Sequence, residues 1–126
     1  MMAAAIMATV LVVDDSATAR IVCRTALSKN GYTVLEAQDG REALTLFRDR
    51  KPDLVLMDIE MPGMNGLAAL ELMRRLDPAA RVVMLTSMAQ RVVMAEASRA
   101  GACDFLVKPI QPEPLVQLVN KVLGQP

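Results

Sequence analysis

The most informative absence in this chain of 126 residues is histidine, which does not occur at all. Without an imidazole, histidine general bases, Ser–His–Asp triads and most zinc sites are excluded. Any chemistry must therefore depend on carboxylates, hydroxyls and lysine. Cysteine is scarce as well, because only Cys23 and Cys103 occur, in apolar segments without a partner motif. We expect both to be buried free thiols in a reducing cytoplasm.

The sequence also lacks an excess of charge and a long apolar run. Fourteen acidic side chains balance fourteen basic ones, so the electrostatic footprint of a nucleic-acid-binding protein is missing. No apolar stretch approaches the roughly 20 residues of a membrane span. The apolar start, residues 1–8, has no basic residue and makes a poor signal peptide. We therefore expect a cytoplasmic protein that binds neither nucleic acid nor a membrane.

What the sequence does contain is a regular alternation of strand and helix patterns. Short apolar runs separated by helical segments are typical of a parallel sheet covered on both faces. The predicted fold is therefore α/β, a doubly wound, five-stranded parallel sheet in one domain over residues 1–126, with its core at about 9–123. The pattern predicts strands at about residues 9–13, 32–37, 54–57, 81–85 and 105–107, and helices at about 17–29, 40–50, 90–100 and 112–123, with a further helix after the third strand.

The helix after the third strand carries an apolar stripe at Ala69, Leu72, Met73 and Leu76, the spacing of a half-buried helix. We expect these side chains to face the sheet. The stripe of the next helix is weak, which favours a loosely held element. It consists of Val93, Ala97 and Ala100.

Charged residues stand where the apolar runs end. Asp14 and Asp15 follow the first strand, Asp58 follows the third, and Lys108 follows the fifth. Because ligands gather at the carboxyl ends of parallel strands, we expect these groups to meet at one edge of the sheet. Three neighbouring carboxylates raise one another's pKa. A hard divalent cation with oxygen ligands, such as Mg²⁺, would relieve that repulsion.

The same set of groups suits phosphoryl chemistry. A metal ion, the ammonium of Lys108 and the hydroxyl of Thr86 could together stabilise a phosphoryl group. Asp58 is the best candidate acceptor because it ends the strand expected at the centre of the sheet. Its carboxylate could attack phosphorus as a nucleophile and form an acyl phosphate.

At these residues the chain resembles the receiver domain of bacterial two-component response regulators, of the CheY type. The resemblance covers about residues 9–123 and rests on four motifs that occur in the family's order and spacing. Each motif alone is weak evidence, whereas the complete set is a strong signal. The motifs are VDDS at residues 13–16, MDIEMPGMNG at 57–66, LTS at 85–87 and DFLVKP at 104–109.

The resemblance implies a magnesium site and a sheet order. Asp15, Asp58 and the backbone carbonyl of Glu60 would bind Mg²⁺, with Asp14 acting mainly through water. Mn²⁺ would substitute for Mg²⁺. The family's strand order, 2-1-3-4-5, places the first and third strands side by side, as the charge argument requires.

The resemblance also implies how a phosphoryl group is held. Asp58 would be the phosphoacceptor, and Thr86 and Lys108 would bind phosphoryl oxygens. Ser87 is small, as that position should be to leave the acyl phosphate accessible. The peptide bond between Lys108 and Pro109 would be cis.

A receiver domain is a two-state element that phosphorylation biases. By resemblance, Thr86 would move toward the phosphoryl group and Phe105 would turn inward behind it. The face formed by helix four, strand five and helix five would then change and bind a downstream protein. The phosphoryl group would come from a histidine kinase or a histidine phosphotransferase. Phe105 has an alternative role as an ordinary aromatic residue of the core.

Two side chains lie near the expected mouth of the site. Glu60 could repel incoming water or phosphodonor and so change the rates of phosphorylation or hydrolysis, or it could be a solvated loop acid. Met88 adds bulk at the same mouth, with the same ambiguity.

The leading interpretation is a single-domain response regulator, with segments 87–90 and 100–112 most like chemotaxis receivers. It would be a signalling phosphoacceptor that assists only its own phosphorylation and dephosphorylation, not an enzyme. A phosphorelay intermediate, or the receiver of a transcription regulator, would look similar. A haloacid-dehalogenase-type phosphatase is a weaker alternative because the first strand ends in Asp14-Asp15-Ser16 rather than Asp-x-Asp. A degenerate receiver that is never phosphorylated is disfavoured by the complete set of site residues.

Overall fold

In the computed structural model, which describes residues 8–87 and 91–125, five strands alternate with five helices. The strands are β1 (Thr9–Val13), β2 (Thr33–Ala37), β3 (Leu54–Asp58), β4 (Val82–Thr86) and β5 (Asp104–Val107). The helices are α1 (Ala17–Lys29), α2 (Gly40–Arg50), α3 (Gly66–Leu76), α4 (Arg91–Arg99) and α5 (Pro112–Val122). All neighbouring strands are parallel in the order β2-β1-β3-β4-β5, so the predicted fold and sheet order are confirmed.

The predicted bounds agree with these elements to within a residue at each end. Three predictions fall on parts of the chain outside the described residues: the signal-peptide assessment of the apolar start, the start of helix four at residue 90, and the role of Met88. Within the described ranges, no helix has the length and apolar character that crossing a bilayer requires.

Side chains of the central strands alternate between two apolar cores. In β1, Leu11 and Val13 pack into the core beneath α2, α3 and α4, whereas Val10 and Val12 pack into the core beneath α1 and α5. All four are fully buried. Because successive residues of a strand point to opposite faces, this continuous apolar run is what a sheet covered on both sides demands. Polar side chains that form a site must therefore lie at the ends of these central strands.

The register of the strands aligns those ends. Val13 at the end of β1 is paired with Met57 of β3, and Thr86 at the end of β4 is paired with Val107 of β5. The backbone N–H of Lys108 donates to the carbonyl of Thr86 at 2.7 Å, which extends the ladder by a residue. The residues that follow β1, β3 and β5 therefore lie at the same carboxyl edge of the sheet.

Polar caps fix where three helices begin. A capping side chain accepts a hydrogen bond from a backbone N–H that the helix itself leaves unpaired. At α1 the cap is Ser16, so the carboxylate of Asp15 is not used for capping. The capping bonds join Ser16 to Ala19 at 3.2 Å, Asp39 to Glu42 at 2.8 Å, and Asn65 to Ala68 at 2.9 Å.

The predicted buried stripe of α3 is partly wrong. Ala69 and Met73 are fully buried, but Leu72 is 36% exposed and Leu76 is 57% exposed. The sheet is contacted instead by Leu70, which is fully buried. At about 100° per residue, Leu70 and Leu72 lie on opposite sides of the line through Ala69 and Met73, so the rotation of the helix about its axis decides which of the two is buried. Both are leucine, and the sequence pattern could not choose between them.

The prediction that both cysteines are buried is wrong for Cys103, which is exposed. Cys103 precedes β5, which pairs with β4 at the edge of the described sheet and whose residues are at most half-buried. Cys23 is buried as predicted, and burial raises the pKa of its thiol to about 11. Its thiol is therefore neutral near pH 7 and chemically inert.

Helix α4 contacts the core through a narrow face. Ala97 is fully buried, while Val93 and Ala100 pack against the same core at its margin. Val92 on this helix is 76% exposed. The predicted stripe is therefore present and weak, and loose attachment of α4 remains a prediction.

The contrast within α3 gives a stability test. We expect Leu70→Ala to lower the free energy of unfolding by about 3 kcal/mol, because it removes buried methyl groups and leaves a cavity. Leu76→Ala is the matched control and should change it by less than about 0.5 kcal/mol, because that side chain is already in contact with water. Urea denaturation of both variants measures the difference. Equal losses would contradict the assigned rotation of the helix.

Candidate functional site

Three carboxylates meet at the carboxyl edge of the sheet. Asp14 and Asp15 follow β1, Asp58 ends β3, and one carboxylate oxygen from each lies within 4.8 Å of the others. Asp14 and Asp58 are buried, whereas Asp15 is exposed. The predicted convergence of these residues is confirmed. Such a set of oxygen donors, open to solvent on one side, matches what Mg²⁺ prefers in proteins.

Lys108 forms ion pairs with the two buried members of the cluster. Its Nζ lies 2.9 Å from Oδ2 of Asp14 and 3.2 Å from Oδ2 of Asp58. Because β4 lies between β3 and β5, the lysine side chain reaches past the end of β4 to make both contacts. The peptide bond between Lys108 and Pro109 is cis, as predicted.

The electrostatics of the cluster follow from this burial. The pKa of Asp58 is raised to about 6, first because burial removes water from its charged form and then because Asp14 is close. Lys108 opposes that rise. Burial alone would lower the pKa of Lys108, but its hydrogen bond to Asp14 and the charges of Asp14 and Asp58 outweigh burial and raise it. Near neutral pH the site thus contains an ammonium and a mostly ionised, poorly solvated Asp58.

Backbone N–H groups hold the carboxylates in place. The N–H of Ser16 donates to Oδ1 of Asp14 at 2.9 Å, and the N–H of Glu60 donates to Oδ1 of Asp58 at 3.2 Å. Both are turns in which an aspartate bonds to the backbone two residues on. Each carboxylate therefore has one oxygen fixed by the backbone and the other facing Lys108.

The predicted hydroxyl and aromatic partners lie on β4 and β5. Thr86 is fully buried, and its Oγ1 donates to the carbonyl of Ser87 at 3.0 Å. Phe105 is half-buried against the core beneath α4. Glu60 is exposed, and together with Asp15 it lines an open groove of about 740 Å³ beside the carboxylates.

Two residues that sequence reasoning did not single out support the site. A Cβ on Gly66 would lie 2.1 Å from the carbonyl oxygen of Asp58, so only glycine lets α3 begin against the end of β3. The turn residues before α3 predicted a loop, but nothing in the sequence predicted that the backbone of Gly66 would lie so close to the backbone of Asp58. Arg20 of α1 donates through Nη1 to the backbone carbonyl of Asp14 at 2.6 Å. No sequence pattern signalled that contact.

Comparison with known proteins identifies the family. Residues 10–120 match the response regulator receiver domain, and the chain belongs to that family. Chemotaxis protein CheY of Thermotoga maritima is 45% identical over 114 residues, which cover 90% of this chain and 95% of that protein. Regulatory protein AtoC of Escherichia coli is 40% identical over 114 residues, but only 25% of that protein is covered. The structure of chemotaxis protein CheY4 of Vibrio cholerae has a TM-score of 0.87 at 35% identity and covers 92% of this chain and 98% of that one.

Membership of this family carries a general biochemical character. Receiver domains of the CheY type are signalling proteins rather than metabolic enzymes, and they interact with histidine kinases and downstream proteins. Receiver domains bind Mg²⁺ at an acidic pocket, and Asp14, Asp15 and Asp58 form such a pocket here.

The contact between Gly66 and Asp58 predicts that Gly66→Ala is poorly tolerated. The added methyl group would collide with backbone rather than with a flexible side chain, so we expect a loss of about 2 kcal/mol or more in the free energy of unfolding. Gly40→Ala is the matched control, because the atoms nearest to its Cβ would be side-chain atoms of Met64 at 3.1 Å rather than backbone atoms at 2.1 Å. Thermal and urea denaturation measure both variants. An unchanged free energy of unfolding in Gly66→Ala would show that α3 does not require the close contact between residue 66 and the backbone of Asp58.

The raised pKa of Asp58 predicts a pH effect on stability in a metal-free buffer with EDTA. Because the folded pKa of about 6 lies above the ordinary 3.8, the folded state holds this proton more tightly than the unfolded chain. The resulting stabilisation is fully present below about pH 4 and is lost as the pH rises through about 6. The variant Asp58→Asn has no carboxyl group to titrate at this position, so it does not lose this stabilisation as the pH rises. Its stability relative to the native chain should therefore rise between these pH values in urea titrations, and a constant difference would contradict the shift.

Proposed function

We propose that this chain is a response regulator that accepts a phosphoryl group on Asp58 and signals through a protein-binding face. The observation that carries the proposal is the buried Asp58 carboxylate, 3.2 Å from the ammonium of Lys108 and beside two further carboxylates. A buried nucleophile of this kind needs cations around it, and a phosphoryl group brings more negative charge that the same cations would stabilise.

The donor set fits Mg²⁺. Asp15, Asp58 and the backbone carbonyl of Glu60 would hold the ion, with Asp14 contributing through water, and Mn²⁺ would substitute. All of these donors are oxygens, the ligands of a hard divalent cation. When bound, the ion supplies positive charge for the phosphoryl oxygens. A carbonyl donor at Glu60 is compatible with its backbone N–H bonding to Asp58, because the two groups belong to different peptide units.

Phosphorylation of Asp58 is a substitution at phosphorus. A carboxylate oxygen of Asp58 donates an electron pair to form the new P–O bond, and the bond from phosphorus to the donor breaks with its electrons leaving on the donor. From a histidine kinase or phosphotransferase the leaving group is a histidine imidazole, which takes up a proton. From acetyl phosphate it is acetate. Lys108, already 3.2 Å from Asp58, is placed to pair with a phosphoryl oxygen.

The signal would leave the site through Thr86 and Phe105. In this structure the Thr86 hydroxyl donates to the carbonyl of Ser87, so binding a phosphoryl oxygen would require it to turn. Phe105, half-buried at the margin of the core, would pack more deeply as Thr86 moves. The face of α4, β5 and α5 would change and bind the downstream protein. Val92 and Val107 expose large apolar side chains on that face.

The proposed pathway rests on the relatives to which the chain is similar. Chemotaxis is supported by the identity to CheY of Thermotoga maritima over 95% of that protein. A phosphorelay intermediate, and the receiver of a transcription regulator like AtoC, use the same site and remain the alternatives. A pull-down of the phosphorylated chain with a flagellar switch protein and with a phosphotransferase domain would separate these roles. The phosphatase alternative loses its basis with the family assignment.

Acetyl phosphate provides the direct test of the phosphoacceptor. With Mg²⁺ present, the intact mass should rise by one phosphoryl group, because Asp58 is ionised and flanked by cations. The rise should disappear in EDTA and in Asp58→Asn. Asp49→Asn is the matched control, because Asp49 is an exposed aspartate of α2 remote from the cluster, and it should be phosphorylated like the native chain.

Two outcomes would contradict this function. Phosphorylation that persists in Asp58→Asn would move the acceptor elsewhere. Continuous turnover of a generic phosphate ester such as p-nitrophenyl phosphate would instead indicate a phosphatase.

A further inference from the structure

Arg20 connects the first helix to the end of the first strand. Its side chain is only 17% exposed. Its Nη1 donates to the backbone carbonyl of Asp14 at 2.6 Å, and its Nε donates to Oε1 of Glu36 at 3.2 Å. A guanidinium presents several N–H donors in a rigid plane, so one side chain can hold two acceptors at a fixed angle.

The carbonyl that Arg20 holds belongs to the peptide unit between Asp14 and Asp15. That unit lies just past the end of β1, where the N–H of Asp14 still bonds to the carbonyl of Ala37 at 3.1 Å. Beyond it the strand ladder no longer directs the chain. The orientation of this peptide plane determines where the Cα of Asp15 lies, and hence where its exposed carboxylate can reach.

Glu36 anchors the guanidinium on the sheet. Glu36 lies on β2 in register with Val12 of β1. Its other oxygen, Oε2, accepts from Nη1 of Arg24 at 2.7 Å, and Arg24 is 48% exposed. One carboxylate thus faces two guanidinium groups from successive turns of α1. Only Arg20 also contacts the backbone at the site.

From these contacts we propose that Arg20 is a positioning residue for the metal site. It fixes the peptide plane between Asp14 and Asp15 and thereby presents the Asp15 carboxylate to a divalent cation. This rests on the proposed function, because it assumes that Asp15 is a metal ligand. Arg20 acts by geometry rather than by charge, since Glu36 pairs with its guanidinium. Residues that orient metal ligands commonly change affinity when replaced, by about 10- to 100-fold.

The test compares Arg20→Gln with Arg24→Gln in the full chain. Both variants remove a guanidinium from the same helix and the same partner, Glu36, but only the first removes the contact to Asp14. Titration calorimetry with MgCl₂ measures the dissociation constant, and urea denaturation confirms that both variants are folded. We expect Arg20→Gln to weaken Mg²⁺ binding about tenfold and Arg24→Gln to bind like the native chain. Equal affinities in the two variants would overturn the proposal.

Nuclear magnetic resonance of the metal-free protein gives a second readout. The backbone amide of Asp15 should shift in Arg20→Gln well beyond its shift in Arg24→Gln, and equal shifts would overturn the proposal. If the native chain binds no Mg²⁺, the proposed function fails, and this spectrum still decides whether Arg20 orients the peptide. If Arg20→Gln does not fold, Arg20→Lys replaces it. A single ammonium lacks the planar fork, so native Mg²⁺ affinity in Arg20→Lys would also overturn the proposal.

Discussion

The ammonium of Lys108 between two buried carboxylates is the interaction on which the rest of this structure depends. Two buried carboxylates as close together as those of Asp14 and Asp58 repel each other, and a cation between them offsets that repulsion. The parallel order of the sheet supplies that cation, because it brings the end of β5 to the same edge as the ends of β1 and β3. A fold that placed these strand ends apart would leave two uncompensated buried charges.

The ion pair between Lys108 and Asp58 does not fully offset the cost of burying the Asp58 carboxylate. Asp58 keeps a raised pKa although Lys108 lies 3.2 Å away, because desolvation and Asp14 outweigh the lysine. Burial therefore disfavours the ionised form of Asp58, and Lys108 only partly offsets that effect. A carboxyl group whose pKa is raised by burial and by a neighbouring carboxylate, beside an open groove, is typical of a functional site.

The sequence was informative wherever a strong rule links pattern to structure. Apolar runs predicted the strands, and the convergence of parallel strand ends predicted that Asp14, Asp58 and Lys108 would meet. It was uninformative where the answer depends on small rotations and loop paths. The choice between Leu70 and Leu72 depends on a rotation of α3, and the exposure of Cys103 depends on how much cover the edge strand receives. The contact from Arg20 to Asp14 joins a side chain to a backbone carbonyl, which leaves no trace in residue periodicity.

The close start of α3 at Gly66 has a consequence for the segment that precedes it. The N–H of Gly66 donates to the carbonyl of Ile59 at 2.8 Å, so a hydrogen bond joins the two ends of the loop formed by residues 59–66. Substitutions within a loop closed in this way need not displace its two ends. The loop can therefore carry different side chains beside the carboxylate cluster, at Glu60 for example, while Asp58 at its base stays where it is. The side chains around the carboxylate cluster can thus vary without a change in the cluster itself.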